Sequence, residues 1–135
     1  MLKRYTNTLY WIAMIGVFFW LAYSKGWILA NFPSIDAKQA ISLLENDDNV
    51  TLLDVRTIQE YKEGHLPDAT LIPVDALADN LGMLKYDKDK KILVYCRTGS
   101  RSIAASRILE KNGFTPLNVK GGILSLQSAG ADIIK

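Results

Sequence analysis

Hydrophobic and polar positions divide this chain into two regimes. Residues 9–23 are apolar or aromatic apart from one glycine, and Lys3 and Arg4 precede them. Beyond Pro33 short apolar stretches alternate with polar turns, and their spacing switches between the helix and strand periods. Asp36, with Gln39 three residues on, makes a capping box that opens a helix with Ala37, Ala40, Ile41 and Leu44 on one face. The polar turn 46–49 leads into a buried strand over 50–55. Thr57 and Glu60 repeat the capping box, so a short helix runs to about residue 63 and stops at Gly64. A second strand over 69–72 is ended by Pro73, and Leu77, Leu81 and Leu84 space a third helix over 76–84. After the charged turn 87–90 come a core strand (92–95) and a helix from about 101 to 112 that ends at Gly113. A last strand (117–119) follows, and Gly121-Gly122 leads into a C-terminal helix.

This alternation predicts an α/β domain: a mainly parallel central sheet with helices on both faces, preceded by one N-terminal apolar helix. It divides the chain into an N-terminal segment (1–30), a linker (31–34) marked by Pro33, and a domain over 35–135. A helix crossing a bilayer needs roughly 20 apolar residues. The first segment reaches that length if it continues to Trp27 with Lys25 snorkelling toward the headgroups. Tyr10 and Trp11 at one end, and Tyr23 and Trp27 at the other, suit the two interfacial belts. A cleaved signal peptide is the competing reading, since Ala22-Tyr23-Ser24 gives a small-x-small pattern; the bulky residues past it favour an anchor. A buried helix of the domain is the third. Lys3 and Arg4 favour an inside N-terminus and a domain facing outward, at the periplasm or cell surface, although Lys25 and Lys38 weaken that bias. A cytoplasm-facing domain or a cleaved, secreted one are the alternatives.

Composition narrows the chemistry. At 135 residues the chain holds one domain with one core. A net charge of +2, with no basic cluster on one element, implies no nucleic-acid partner. One cysteine and one histidine exclude an intramolecular disulfide and any cysteine- or histidine-rich metal cluster, so neither metal nor cofactor is expected.

Ligands of parallel sheets sit beyond the carboxyl ends of the strands. At one such junction stands Cys96-Arg97-Thr98-Gly99-Ser100-Arg101-Ser102, with the cysteine at the turn between strand and helix. A loop of this composition, with one glycine free to take positive φ, can point successive backbone N–H groups inward as an anion-binding nest. The next helix adds its positive end, and Arg97 and Arg101 add charge. Each feature favours a thiolate over a thiol. A buried structural cysteine, the ordinary alternative, would not need this loop.

The run from Cys96 resembles the active-site loop of rhodanese domains. Three further motifs agree in order: Leu53-Asp54-Val55-Arg56, the stretch EYKEGHLPDATLIP over 60–73, and Gly113-Phe114 followed by Gly121-Gly122-Ile123. The resemblance spans about 34–130 and departs from the family at Leu126, where many members carry tryptophan; altered packing against the sheet is expected there, with activity retained.

The resemblance implies a sulfurtransferase. The Cys96 thiolate would attack the sulfane sulfur of a small anionic donor, thiosulfate or a persulfide, and expel sulfite in the thiosulfate case. The resulting persulfide would pass its outer sulfur to cyanide, a thiol or a protein acceptor. Thr98, Gly99 and Ser100 would cradle the anion, and Arg97 and Arg101 would orient the donor. Asp54 and Arg56 would either brace the loop or form a purely structural ion pair. His65 is read as a turn residue, since an ionised thiol needs no general base. A membrane-tethered persulfide carrier and a non-catalytic docking module are the alternatives within the family. A cysteine phosphatase or arsenate reductase fits less well: the phosphatase pattern requires His before the cysteine and Arg six residues after it, where this chain has Tyr95 and Ser102.

Overall fold

The computed structural model describes residues 2–25 and 32–135. Its elements are α1 (Leu2–Ser24), β1 (Ser34–Ile35), α2 (Ala37–Asn46), β2 (Val50–Asp54), α3 (Ile58–Glu63), β3 (Thr70–Leu71), α4 (Val74–Leu77), a 3-10 helix (Leu81–Asp87), β4 (Lys91–Tyr95), α5 (Ser100–Lys111), β5 (Thr115–Val119) and α6 (Gly122–Ser128). The strands form one parallel sheet in the order β1-β5-β4-β2-β3. The expected parallel sheet, preceded by a long apolar helix, is therefore present.

Both capping boxes form. Asp36 Oδ1 accepts the Gln39 N–H at 2.8 Å while Gln39 Oε1 accepts the Asp36 N–H at 3.0 Å. Thr57 Oγ1 accepts the Glu60 N–H at 3.1 Å, and Glu60 Oε1 the Thr57 N–H at 3.3 Å. The helix expected over 76–84 is instead split between α4 and the 3-10 helix. The Asn80 side chain donates to the Ala76 carbonyl at 2.7 Å and so competes with the helical ladder. Leu77 and Leu84 are nevertheless buried, as their spacing requires. The linker reading also changes. Phe32 is buried, and Ser34 opens β1, in register with Asn118 of β5; a two-residue strand carries no period to read. Asn31 and Trp27 lie outside the described residues.

Period two assigns the strand side chains to two cores. Leu53, Val55, Ile92, Val94 and Cys96 pack with Leu77, Leu84, Ala105, Leu109 and Phe114 on one face. On the other, Leu52, Leu93, Tyr95 and Val119 meet Ala40, Leu66, Ile123 and Leu126. Leu126 is fully buried, so the position that departs from the family packs against the sheet.

Helix α1 is not part of either core. Its stretch Arg4–Ser24 is long and apolar enough to cross a membrane. Trp11, Phe18, Phe19 and Trp20 are exposed, a patch of the kind that membranes or partners cover. Contact with the domain comes from the C-terminal end: Ala22 is buried, the Tyr23 ring stacks 3.6 Å from the Arg107 guanidinium, and Lys25 Nζ donates to Ser100 Oγ at 3.1 Å.

Candidate active site

Alternation along β4 decides where the only cysteine points. Ile92 and Val94 face α5, and Cys96 continues that parity, so its sulfur lies under the first turn of the helix. The chain can turn back this sharply because Gly99 adopts φ +112°, in the left-handed region. That conformation aims the Gly99 N–H at Cys96 Sγ, at 3.0 Å. Cys96 is 1% exposed, so the sulfur sits at the floor of the loop.

The loop is held from below by the β5–α6 turn. The Ile123 N–H donates to the Cys96 carbonyl at 2.8 Å and the Leu124 N–H to the Arg97 carbonyl at 3.4 Å. Gly122 lies directly against these carbonyls, with φ +59°.

Of the predicted site residues, Gly99 and Arg101 have defined partners around the sulfur, while Arg97 and Thr98 form an exposed rim. Ser100 is held by Lys25 in the turn just past α1, a residue that the apolar run alone places toward the headgroups. Arg101 is clamped by Glu60 in a bidentate pair at 2.6 and 2.9 Å. Glu60 therefore does two things: it closes the capping box of α3 and fixes the arginine. Sequence reasoning identified the first alone, because the pair spans 41 positions along the chain. The hydrogen bond from Arg101, the largest influence, holds the Glu60 carboxyl down at about 2. The same bond raises Arg101, and the charges of Cys96 and Asp54 add smaller upward contributions.

Asp54 and Arg56 form a buried pair at 2.7 Å. Arg56 also donates to the Gly64 carbonyl at 2.7 Å, so the pair ties the end of β2 to the turn after α3. His65 belongs to that turn: its Nδ1 lies 2.8 Å from the Tyr61 carbonyl, its ring stacks on Tyr61 at 3.6 Å, and its backbone pairs with Ile134. Tyr95 Oη accepts the Leu66 N–H at 3.2 Å; burial raises its phenol well above the ordinary range.

Behind the sulfur lies a polar group absent from the predicted site. Ser102 Oγ stands 3.6 Å from Cys96 Sγ, 3.0 Å from the Gly99 carbonyl and 2.6 Å from Asn118 Oδ1. Asn118 Nδ2 in turn donates to Ser34 Oγ at 3.1 Å. The available signal was one polar residue inside an apolar last strand. Two cavities flank the loop: one of about 240 Å3 beside Arg56, Glu60 and Arg97, the other of about 290 Å3 beside Lys25, Thr98, Ser100 and Lys120. A buried sulfur facing a backbone N–H at a helix start can act as a nucleophile toward an anion.

Comparison with known proteins places the chain in a family. The family model described as rhodanese-like domain matches residues 36–129. A protein named sulfurtransferase from Allochromatium vinosum is 33% identical over 101 residues, covering 74% of this chain and 92% of that one. A tRNA uridine(34) hydroxylase from Sodalis glossinidius is 37% identical over 91 residues, but these amount to 26% of its length and 64% of this chain. Among solved structures, a rhodanese-related protein from Thermoplasma volcanium superposes with a TM-score of 0.67 at 34% identity, covering 76% of this chain and 98% of its own.

Proposed function

The chain belongs to the rhodanese-like domain family, and from that premise we propose that it is a sulfurtransferase carrying sulfane sulfur as a persulfide on Cys96. The observation that carries the reading is the Gly99 N–H, 3.0 Å from a buried sulfur at the start of α5. The cycle has two displacements. The Cys96 thiolate attacks the outer sulfur of thiosulfate; the new S–S bond forms as the old one breaks, and sulfite leaves with the electron pair. An acceptor thiolate, or cyanide, then attacks the outer sulfur of the persulfide and returns Cys96 as a thiolate. The sequence holds no second cysteine, so the acceptor is another molecule.

Loop amides serve both anions, because donors aimed at a fixed negative charge stabilise it without reorganisation. Arg101 is pre-oriented by Glu60, and Arg97 stands exposed at the rim to meet the donor. Asp54 and Arg56 support the loop indirectly, through the β2 end and the turn after α3. Helix α1 is the anchor, with Lys3 and Arg4 inside and the domain outward.

The test is intact mass of the protein after thiosulfate treatment, then after cyanide. A gain of about 32 Da, one sulfur atom, that cyanide removes and Cys96→Ser lacks would establish the half-reaction. No gain from thiosulfate, with loading from a persulfide donor, would make the protein a partner-fed carrier. No gain from either would leave a docking module.

A further inference from the structure

The hydrogen bonds behind Cys96 have a direction, and the sulfur chemistry requires that direction to reverse. Ser102 is fully buried and has one hydroxyl hydrogen to place. Two acceptors lie in reach, the Gly99 carbonyl at 3.0 Å and Asn118 Oδ1 at 2.6 Å, and the shorter approach takes that hydrogen. Ser102 Oγ is then an acceptor toward Cys96 and receives the S–H at 3.6 Å. Asn118 Nδ2 completes the line by donating to Ser34, which is exposed on β1. Written this way, the chain of bonds fits a protonated sulfur.

A thiolate or a persulfide has no hydrogen on Sγ. With the same donors and acceptors, the Ser102 oxygen would face bare sulfur lone pairs in a buried site, at the cost of an unmade bond. Turning over the Asn118 amide removes the conflict. Nδ2 then donates to Ser102, Ser102 donates to Sγ, and Ser34 donates to Asn118 Oδ1. Every group stays satisfied, and only the two amide atoms exchange places.

We infer that Ser102 and Asn118 form a reversible hydrogen-bond relay that positions Cys96, donating toward the sulfur whenever it is deprotonated or loaded and accepting from it when it is a thiol. The inference rests on Cys96 being the sulfur-carrying group. Ser102 and Asn118 are thereby positioning residues, acting through the cysteine and not on the donor.

The experiment is the rate of Cys96 alkylation by iodoacetamide across pH, on the full chain in detergent, with thermal unfolding as the check on folding. Alkylation needs no sulfur donor, so it stays informative even if thiosulfate loading fails. Asn118→Asp can only accept from Ser102, which fixes the relay in its thiol direction; about a tenfold drop in rate at pH 7 is expected, equivalent to one unit in the profile. Asn118→Ala leaves the Ser102 hydrogen to divide between Sγ and the Gly99 carbonyl 3.0 Å away, so its drop in rate should be smaller than that of Asn118→Asp. A carboxylate could also act by charge alone, and the double variant separates the two causes. In a Ser102→Ala background the relay is cut, so Asn118→Asp should have little further effect. The charged and titratable groups around the loop are common to all variants: Arg97, Arg101 with Glu60, Asp54 and Arg56, Tyr95, Lys25 and Lys120. Asn118→Asp slowing alkylation equally with and without Ser102, or not slowing it at all, would overturn the inference.

Discussion

Adding one methyl group at Gly122 should disable the loop while leaving the domain folded. A Cβ there would collide with the Cys96 and Arg97 carbonyl oxygens and stand 2.5 Å from the Arg97 carbonyl carbon. That is roughly 1 Å inside the optimal carbon separation of about 3.5 Å. The obstructing atoms are backbone, so the β5–α6 turn and the active-site loop must part. Misplacing reacting groups by about 1 Å can cost on the order of 100-fold in rate. The stability cost has two sources: about 1–2 kcal/mol for a side chain at φ +59°, and about 1–3 kcal/mol for overpacking. Together these stay within the usual ~5–15 kcal/mol of a domain, so a folded but less stable protein is expected. Gly122→Ala would be assayed by quenching the thiosulfate reaction at intervals and measuring persulfide by intact mass, beside a thermal melt. Gly82→Ala is the control, since a Cβ at that position meets nothing within 4 Å. Wild-type loading by Gly122→Ala would refute the argument that this glycine sets the loop's position.

Other expectations follow from the charge pairs and from α1. Asp54→Ala leaves the Arg56 charge buried at 5% exposure, so about 3–5 kcal/mol of stability should be lost; a denaturant midpoint near that of wild type would contradict it. Glu60 has a depressed folded value, so the clamp stabilises fully above the ordinary 4.5 and is lost as pH falls toward about 2. The melting-temperature gap between wild type and Glu60→Gln should therefore be open at pH 5 and above and close on acidification; a gap that persists near pH 2 would assign the effect to packing. Deleting residues 1–30 should give a folded domain that still loads sulfur. The lost Tyr23–Arg107 contact is worth about 1 kcal/mol, a melting temperature lower by roughly 4–8 °C. A truncated chain that cannot fold would make α1 part of the core.

What could be read from the residues was whatever repeats or sits close along the chain. Both capping boxes are three-residue signals and both form. Cys96-Arg97-Thr98-Gly99-Ser100-Arg101 is contiguous, and the turn it builds is dictated by its one glycine. Contacts between distant segments carried no comparable signal. Glu60 on Arg101, Ser102 on Asn118, and Lys25 on Ser100 depend on the sheet order and on where α1 ends. β1 is too short, at two residues, to carry a period, and the leucine spacing over 76–84 persists across the break at Asn80, so it does not reveal that break.

The grip of α1 on the loop has a consequence for how partners are met. Lys25 reaches Ser100 from the turn immediately after the apolar helix. A bilayer holding that helix would set the height of the sulfur, to within a side chain's length, above the lipid surface. Encounters would then be sideways, in a plane, with an effective concentration fixed by the tether and not by the bulk. Acceptors whose thiols travel at the same height would be served first, and a soluble thiol of equal reactivity would have to climb down to the surface to compete.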